Sequence, residues 1–333
     1  MVKIGIIGAG FIGDVHAQAY NRIENAQLVG IVNRTREKGE KFAEKYGIKF
    51  YPTMDELLES EDIDAVDICT PTHLHLEMVK KAANAGKNIL CEKPLALSVE
   101  DAEEMISIVK EKKVKAMVGH VLRFWPEYVR VKEIIDKREL GKPLFATCAR
   151  LAVSPDWRNW GFKEELSGGV TMDLQIHDID YLIWLFGIPK SVRSQGYYNK
   201  ELGGWAHVGI LFNFDDNVSG MSESGWAFKG SFPFTMLLRI LCEKGTIDWT
   251  FKAGKNIEER GKEFSLTIYK PDGSVEIPEM EKEDPFYLEL KYFIYCIENN
   301  TDIERATLED GKNALLVTLS AIKSLKENSI VYL

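Results

Sequence analysis

Asp173 and His177 stand four residues apart in the run Gly168-Gly169-Val170-Thr171-Met172-Asp173-Leu174-Gln175-Ile176-His177-Asp178-Ile179-Asp180. On a helix that spacing puts both side chains on one face, and Asp180 joins the same face at the next turn. An imidazole trades protons near neutral pH, and a carboxylate beside it can orient and tune it. The pair therefore suits acid–base work, although the same pattern also occurs as plain surface electrostatics. Glu92-Lys93-Pro94 adds a cation directly after the apolar run Asn88–Cys91. Alone it reads as a charged strand end.

Near the start stands Gly8-Ala9-Gly10-Phe11-Ile12-Gly13, a G-x-G-x-x-G. It follows the β-type run Val2–Ile7 and opens a helical pattern, which is the context a dinucleotide loop requires. Gly8 is expected to make the tight turn, Gly10 to admit a pyrophosphate, and Gly13 to let helix pack on strand. The free N–H groups at the N-terminus of the helix that follows favour phosphate, and Phe11 and Ile12 of the loop join the glycines as cofactor candidates. An acidic residue about 20 positions further on would bind the ribose hydroxyls of NAD. Here the second strand ends instead in Asn33-Arg34-Thr35, with Arg36 and Lys38 following. Arg34 can stack on adenine and hold a 2′-phosphate by charge-assisted bonds. The expectation is NADP, with NAD as the alternative, held through Asn33, Arg34, Thr35 and Lys38.

These residues need elements to carry them. Through residue 118 short apolar runs alternate with helical patterns: strands at Val2–Ile7, Leu28–Val32, Lys49–Tyr51, Ala65–Cys69, Asn88–Cys91 and Val114–Val118, and helices at Asp14–Asn25, Arg36–Tyr46, His73–Ala85 and from Ser98 to Lys112. Thr53 and Glu56 have capping-box spacing before a brief helix. Six strands with helical crossovers predict a doubly wound parallel sheet. Ligands of such sheets bind outside the carboxyl ends of the strands, which puts Lys93 near the nicotinamide. Beyond Gly119 the texture changes. A helical pattern at Pro126–Lys137 and a strand at Leu144–Val153 precede a long helix, Gly169–Phe186. Alternating runs follow at Val208–Phe214, Val218–Ser224, Phe234–Cys242, Thr246–Phe251 and Ser265–Tyr269, then helices at Phe286–Glu298 and Leu308–Glu327. That pattern predicts a largely antiparallel sheet. The fold class is thus α/β: a Rossmann domain over residues 1–122 and an α+β domain with a large open sheet over 123–333.

Composition excludes several functions. The net charge of −9 repels nucleic acid, and no apolar run reaches the ~20 residues a membrane span needs. The five cysteines are scattered, odd in number and without a C-x-x-C, which fits thiols in a reducing cytoplasm. The N-terminal apolar stretch loosely imitates a signal peptide, but its glycines fit a nucleotide loop better. His73 and His75 lack the supporting ligands of a metal site, and none is expected. Trp157-Arg158-Asn159-Trp160 combines apolar area with donors, so Trp157 and Trp160 are candidates to border the substrate.

Together the motifs resemble the family of glucose–fructose oxidoreductase and inositol 2-dehydrogenase over essentially the whole chain. The resemblance rests on Gly8–Gly13, Thr70-Pro71, Glu92-Lys93-Pro94, Arg123-Phe124 and the Gly168–Asp180 run. It implies that Lys93, Asp173 and His177 occupy catalytic positions, and that Thr70, Pro71, His75, Glu92 and Arg123 line the cofactor. The implied reaction moves a hydride between NADP and a hydroxyl or carbonyl carbon of a sugar, inositol or related polyol. His120 and Asp180 join the two tryptophans as substrate candidates. Many members carry Gly where this chain has Gln175, and Asn or Tyr where it has His120, so no individual substrate transfers. Two alternatives use the same scaffold: a nicotinamide-dependent glycosidase and a non-catalytic NADP sensor. A homodimer or homotetramer is expected through the C-terminal sheet, since Val208, Ile210 and Phe212 make one strand face apolar.

Overall fold

The computed structural model describes residues 1–59, 63–154, 168–201, 203–254, 262–263 and 265–333. The chain divides into two compact units, one of residues 1–125 with 282–312, the other of 126–281 with 313–333. The later stretch 282–312 thus returns to the first unit.

The first unit holds a six-stranded parallel sheet in the order β3-β2-β1-β4-β5-β6. Its strands are β1 (Val2–Ile7), β2 (Ala26–Val32), β3 (Lys49–Tyr51), β4 (Ala65–Ile68), β5 (Asn88–Glu92) and β6 (Ala116–Gly119). This is the doubly wound dinucleotide order, with the chain reversing direction across the sheet between β1 and β4. The crossover helices are α1 (Phe11–Tyr20), α2 (Arg36–Tyr46), α3 (Met54–Leu58), α4 (His75–Asn84) and α5 (Val99–Lys112). Ile4, Ile6, Ile31, Val66, Ile68, Ile89 and Leu90 are buried, as both faces of a covered parallel sheet require. Thr53 and Ser98 cap α3 and α5 by accepting from the amides of Glu56 and Asp101.

Several boundaries differ from the sequence expectation. The first helix begins at Phe11 rather than Asp14 and ends at Tyr20 rather than Asn25. Gly10 serves as its N-cap, so the glycine loop itself forms the first turn. The expected helix from His73 begins as a 3₁₀ turn over Thr72–Leu74 and becomes α-helical only at His75. Pro71 ends the extended run just before it, and the tight turn takes the chain from the strand end into the helix.

The second unit is built on a mixed sheet in the order β15 (Val275–Glu276), β14 (Thr267–Tyr269), β12, β11, β7, β10, β9, β8 and β16 (Val331–Tyr332), with β13 (Lys262–Glu263) paired to β12. Its main strands are β7 (Pro143–Val153), β8 (Ser191–Asn199), β9 (Gly204–Asn213), β10 (Ser219–Phe228), β11 (Thr235–Cys242) and β12 (Gly245–Lys252). All pairs are antiparallel except β7 with β10. Helices α6 (Pro126–Asp136) and α7 (Ile176–Phe186) belong to this unit. Later come α8 (Pro285–Glu298), in the first unit, and α9 (Leu308–Glu327), which runs from the first unit into the second.

One expectation is corrected here. Val208, Ile210 and Phe212 are buried within the single chain and are not an exposed apolar face. Gln175 bonds the Val208 carbonyl from that side, and Ser324 of α9 accepts from the Ser194 amide on β8. Helices cover the face. The opposite face, which carries Leu211, is the one open to solvent.

Candidate active site

The glycine loop leaves strand β1 through Gly8, whose φ of +115° suits glycine and whose added Cβ would lie 2.6 Å from the Cys69 carbonyl. A Cβ on Gly13 would lie 2.2 Å from the Gly8 carbonyl, so the turn and the helix are packed backbone to backbone. A Cβ on Gly10 would meet nothing within 4 Å. The loop is therefore tight on its protein side and open at Gly10 beside the helix N-terminus, which fits a dinucleotide pyrophosphate. At the end of β2, Asn33 accepts from the Ala9 amide at 3.1 Å and donates to the Thr35 carbonyl at 2.8 Å. Its amide braces the two edges of the loop. Arg34, Thr35 and Lys38 are exposed beside it, and Arg36 pairs with Glu40 on its own helix.

The carboxyl ends of β4 and β5 bring the next candidates together. His75 is fully buried, with Nδ1 3.0 Å from the Pro94 carbonyl and Nε2 2.9 Å from the Thr70 carbonyl. Burial pushes its pKa down. The neutral ring carries one proton and donates to one of these carbonyls at a time. His75 thus ties the Thr70-Pro71 turn to the segment after Lys93, whose bond to Pro94 is cis. Glu92 is buried, and its Oε2 accepts from the Lys93 amide at 3.2 Å. A Cβ on Gly119 would lie 2.5 Å from Glu92 Oε1, so the carboxylate is pressed against the backbone of β6. His120, next in sequence, and Arg123 are both buried, and Arg123 forms an ion pair with Asp310 at 3.1 Å.

Behind this edge lies a set of titratable groups not singled out from the sequence. His16 on α1 is fully buried, with Nδ1 2.8 Å from Asp67 Oδ2 and Nε2 3.5 Å from Glu92 Oε1. Cys69 donates to Asp67 Oδ1 at 3.2 Å. Donor atoms of His16, Asp67 and Cys69 lie within 4.8 Å of one another, but they are bonded among themselves. Glu289 of α8 is 0% exposed, and neither carboxyl oxygen has a hydrogen-bond partner among the described residues. A readable signal did exist: Glu289 falls on the helical face of Leu290, Phe293 and Ile294, all buried.

Burial opposes charge on His16, but Asp67 first, then Glu92 and Glu289, raise its pKa to about 9. The folded state therefore holds a proton that the unfolded chain releases near its ordinary pKa of about 6.5. The resulting stabilisation, at most about 3 kcal/mol, is complete below about pH 6.5 and is lost as pH rises through about 9. The melting-temperature gap between the parent and His16→Asn is expected to be widest at low pH and to close above about pH 9. A gap that stays constant over that range would contradict this assignment.

In the second unit, Thr171–Gln175 forms a wide π turn that leads directly into α7. The long helix expected from Gly169 is thus interrupted. Asp173 and His177 lie on either side of the junction, both half-buried. Three other side chains fix that junction to the sheet. Gln175 Nε2 donates to the Ser222 carbonyl at 3.0 Å and lies 3.3 Å from that of Val208. Its amide is thereby directed into the sheet. Arg150 on β7 donates to Asp178 at 3.0 Å, and both are buried. Burial works against the Arg150 charge, but Asp178 opposite keeps the guanidinium protonated. Asp180 is buried one turn beyond Ile176. Trp157 and Trp160 lie outside the described residues.

Known proteins match both units. The model of the GFO/IDH/MocA oxidoreductase family, NAD-binding Rossmann fold, matches residues 2–120, and that of the GFO/IDH/MocA C-terminal domain matches 128–248. An inositol 2-dehydrogenase of Rhizobium meliloti is 28% identical over 98% of this chain and 97% of its own length. A myo-inositol 2-dehydrogenase of Thermotoga maritima is 28% identical over 100% and 98%. The crystal structure of scyllo-inositol dehydrogenase from Lactobacillus casei with NAD(H) and scyllo-inositol has a TM-score of 0.83 at 23% identity, covering 100% of this chain and 99% of that one, a likeness of fold.

Proposed function

The chain belongs to the GFO/IDH/MocA oxidoreductase family, and from that membership we propose that it transfers a hydride between NADP and a hydroxyl-bearing or carbonyl carbon of a sugar, inositol or related polyol. The observation that carries this reading is the shared edge of the parallel sheet. The open loop at Gly10, the Thr70 turn and the Lys93 strand end all lie at the carboxyl ends of its strands. When bound, the nicotinamide supplies the hydride acceptor or donor. His177 takes the hydroxyl proton as general base, and Asp173 orients its ring. Lys93 sets positive charge beside the developing alkoxide. In the reverse direction His177 returns the proton to a ketone.

A panel of polyols and keto-sugars with NADP and NAD, read at the absorbance of the reduced cofactor, tests the reaction. Net accumulation of NADPH with a polyol is expected. Bond hydrolysis without accumulation would mark a glycosidase, and tight NADP binding without turnover would mark a sensor.

Cofactor preference rests on Arg34. With the Asn33 amide engaged by Ala9 and Thr35, the exposed guanidinium at the end of β2 is the group suited to a 2′-phosphate. A charge-assisted bond contributes about 1.5–3 kcal/mol. Arg34→Ala is expected to weaken NADP about tenfold to a hundredfold and NAD much less. Equal affinities in the parent, or equal losses in the variant, would overturn the preference.

The same reading includes a homodimer or homotetramer in the cytoplasm. The five cysteines are free thiols, which suits a reducing compartment. The assembly surface is the outward face of the large sheet, where Leu211 is 52% exposed and Tyr197, Phe145 and Leu241 are also exposed. Light scattering at micromolar concentration should give a dimeric or tetrameric mass, and Leu211→Glu should lower it. A monomeric parent would refute the assembly.

A further inference from the structure

Glu289 belongs to none of the roles above, yet it is buried with two carboxyl oxygens that no described residue bonds. A buried polar group left in that state costs free energy, so its place calls for a reason. Its surroundings supply one. From α8, Glu289 faces the same interior as His16 and Tyr20 of α1, Asp67 on β4 with Cys69 just beyond, and Cys91 and Glu92 of β5, with Lys93 following. The ring of Phe286, three residues earlier on α8, packs 5.9 Å from the His16 ring.

We propose that His16, Asp67 and Glu289 act as positioning residues for Lys93, working through the Glu92 carboxylate. The path is short. Asp67 Oδ2 holds one nitrogen of the His16 ring at 2.8 Å. The other nitrogen faces Glu92 Oε1 at 3.5 Å. Glu92 Oε2 accepts from the Lys93 amide at 3.2 Å. Gly119 leaves the Glu92 carboxylate room while confining it against β6. Burial leaves the Glu92 pKa above its ordinary value, and the imidazolium between the two carboxylates is the largest influence pulling it back. Burial, and then Glu92, hold the Glu289 carboxyl well above the usual carboxylate range. Once His16 loses its proton, Glu92 loses its counter-charge and the Lys93 backbone loses a fixed acceptor. This inference rests on the assignment of Lys93 to the reaction.

The test combines a binding-free and a catalytic readout on the full chain. In protein labelled with ¹⁵N-lysine and ¹⁵N-histidine and without substrate, the Lys93 amide shift should follow the His16 ring titration, with a midpoint of about 9. Glu289→Gln should move both midpoints down together, since Glu289 is one of the groups that raise His16. In turnover, His16→Asn should lower kcat about tenfold to a hundredfold, the scale of a small displacement of a reacting group. KM should change by less than about threefold, and the alkaline limb of the kcat profile should disappear. A Lys93 amide that stays flat while His16 titrates, or a His16 ring that titrates near its ordinary value, overturns the proposal even if the enzyme is fully active. A Lys93 amide that tracks His16 in a protein that turns over no polyol sustains the positioning and removes the dehydrogenase reading instead. Should His16→Asn fail to fold, the parent and Glu289→Gln titrations decide the matter alone.

Discussion

His177→Ala is expected to lower turnover of the best polyol by about 10²–10⁴-fold, the range that general acid–base catalysis supplies. Binding of the dinucleotide should stay within about threefold of the parent, because the loop at Gly8–Gly13, the Asn33 brace and the Thr70 turn all belong to the first unit. The backbone at His177 should survive the change. Asp178, its neighbour, is tied to Arg150 on β7, and Gln175 is tied to β10 at the Ser222 carbonyl. Those anchors hold the junction of the π turn and α7 whatever stands at 177. Circular dichroism and melting temperature should therefore match the parent, and the loss should fall on kcat. A variant that keeps its rate within about threefold would mean that another group takes the proton.

The second large effect separates two glycines of one loop. Gly10 has an extended φ of −91°, which alanine adopts without strain, and a Cβ there meets no protein atom within 4 Å. Gly10→Ala should leave the melting temperature within about 2 °C of the parent, as for a substitution that changes stability by less than about 0.5 kcal/mol. It should nevertheless weaken the dinucleotide about tenfold to a hundredfold, because the methyl group occupies the approach to the pyrophosphate. Gly13→Ala should damage both properties. Its Cβ would stand 2.2 Å from the Gly8 carbonyl, and Gly8 is itself confined by the Cys69 carbonyl. Forcing that contact costs about 1–3 kcal/mol of overpacking. Calorimetric titration of NADP and thermal unfolding of the two variants check the contrast. Parent-like cofactor binding by Gly10→Ala would show that the phosphates do not approach there.

What was readable in the sequence is what short-range physics controls. The period of apolar residues and the turn chemistry of Gly, Pro, Thr and Ser placed β1, α2, β3 and the caps at Thr53 and Ser98, because those preferences act over a few residues. The glycine loop was legible for the same reason, since its spacing is its mechanism. The end of the first helix was not, because nothing in the run after Tyr20 stops the helical pattern as strongly as the start of β2 does in space. The face of β9 was misread because alternation reports that one side of a strand is buried, without saying what buries it. Only the tertiary structure assigned Val208, Ile210 and Phe212 to the helix-covered side.

The polar interior belongs to the tertiary structure for a related reason. Whether a carboxylate or imidazole can be buried depends on a partner distant in sequence. His16 meets Asp67 across a separation of 51 residues, and Arg150 meets Asp178 across 28. Glu289 comes to the Rossmann interior from a helix that follows almost all of the second unit in sequence. Motif spacing marked Lys93, Asp173 and His177 without these partners, since reactive side chains can be named by type. The residues that hold charge around them could be found only once the chain had brought distant segments into contact, because desolvation and Coulomb energy depend on distance in space.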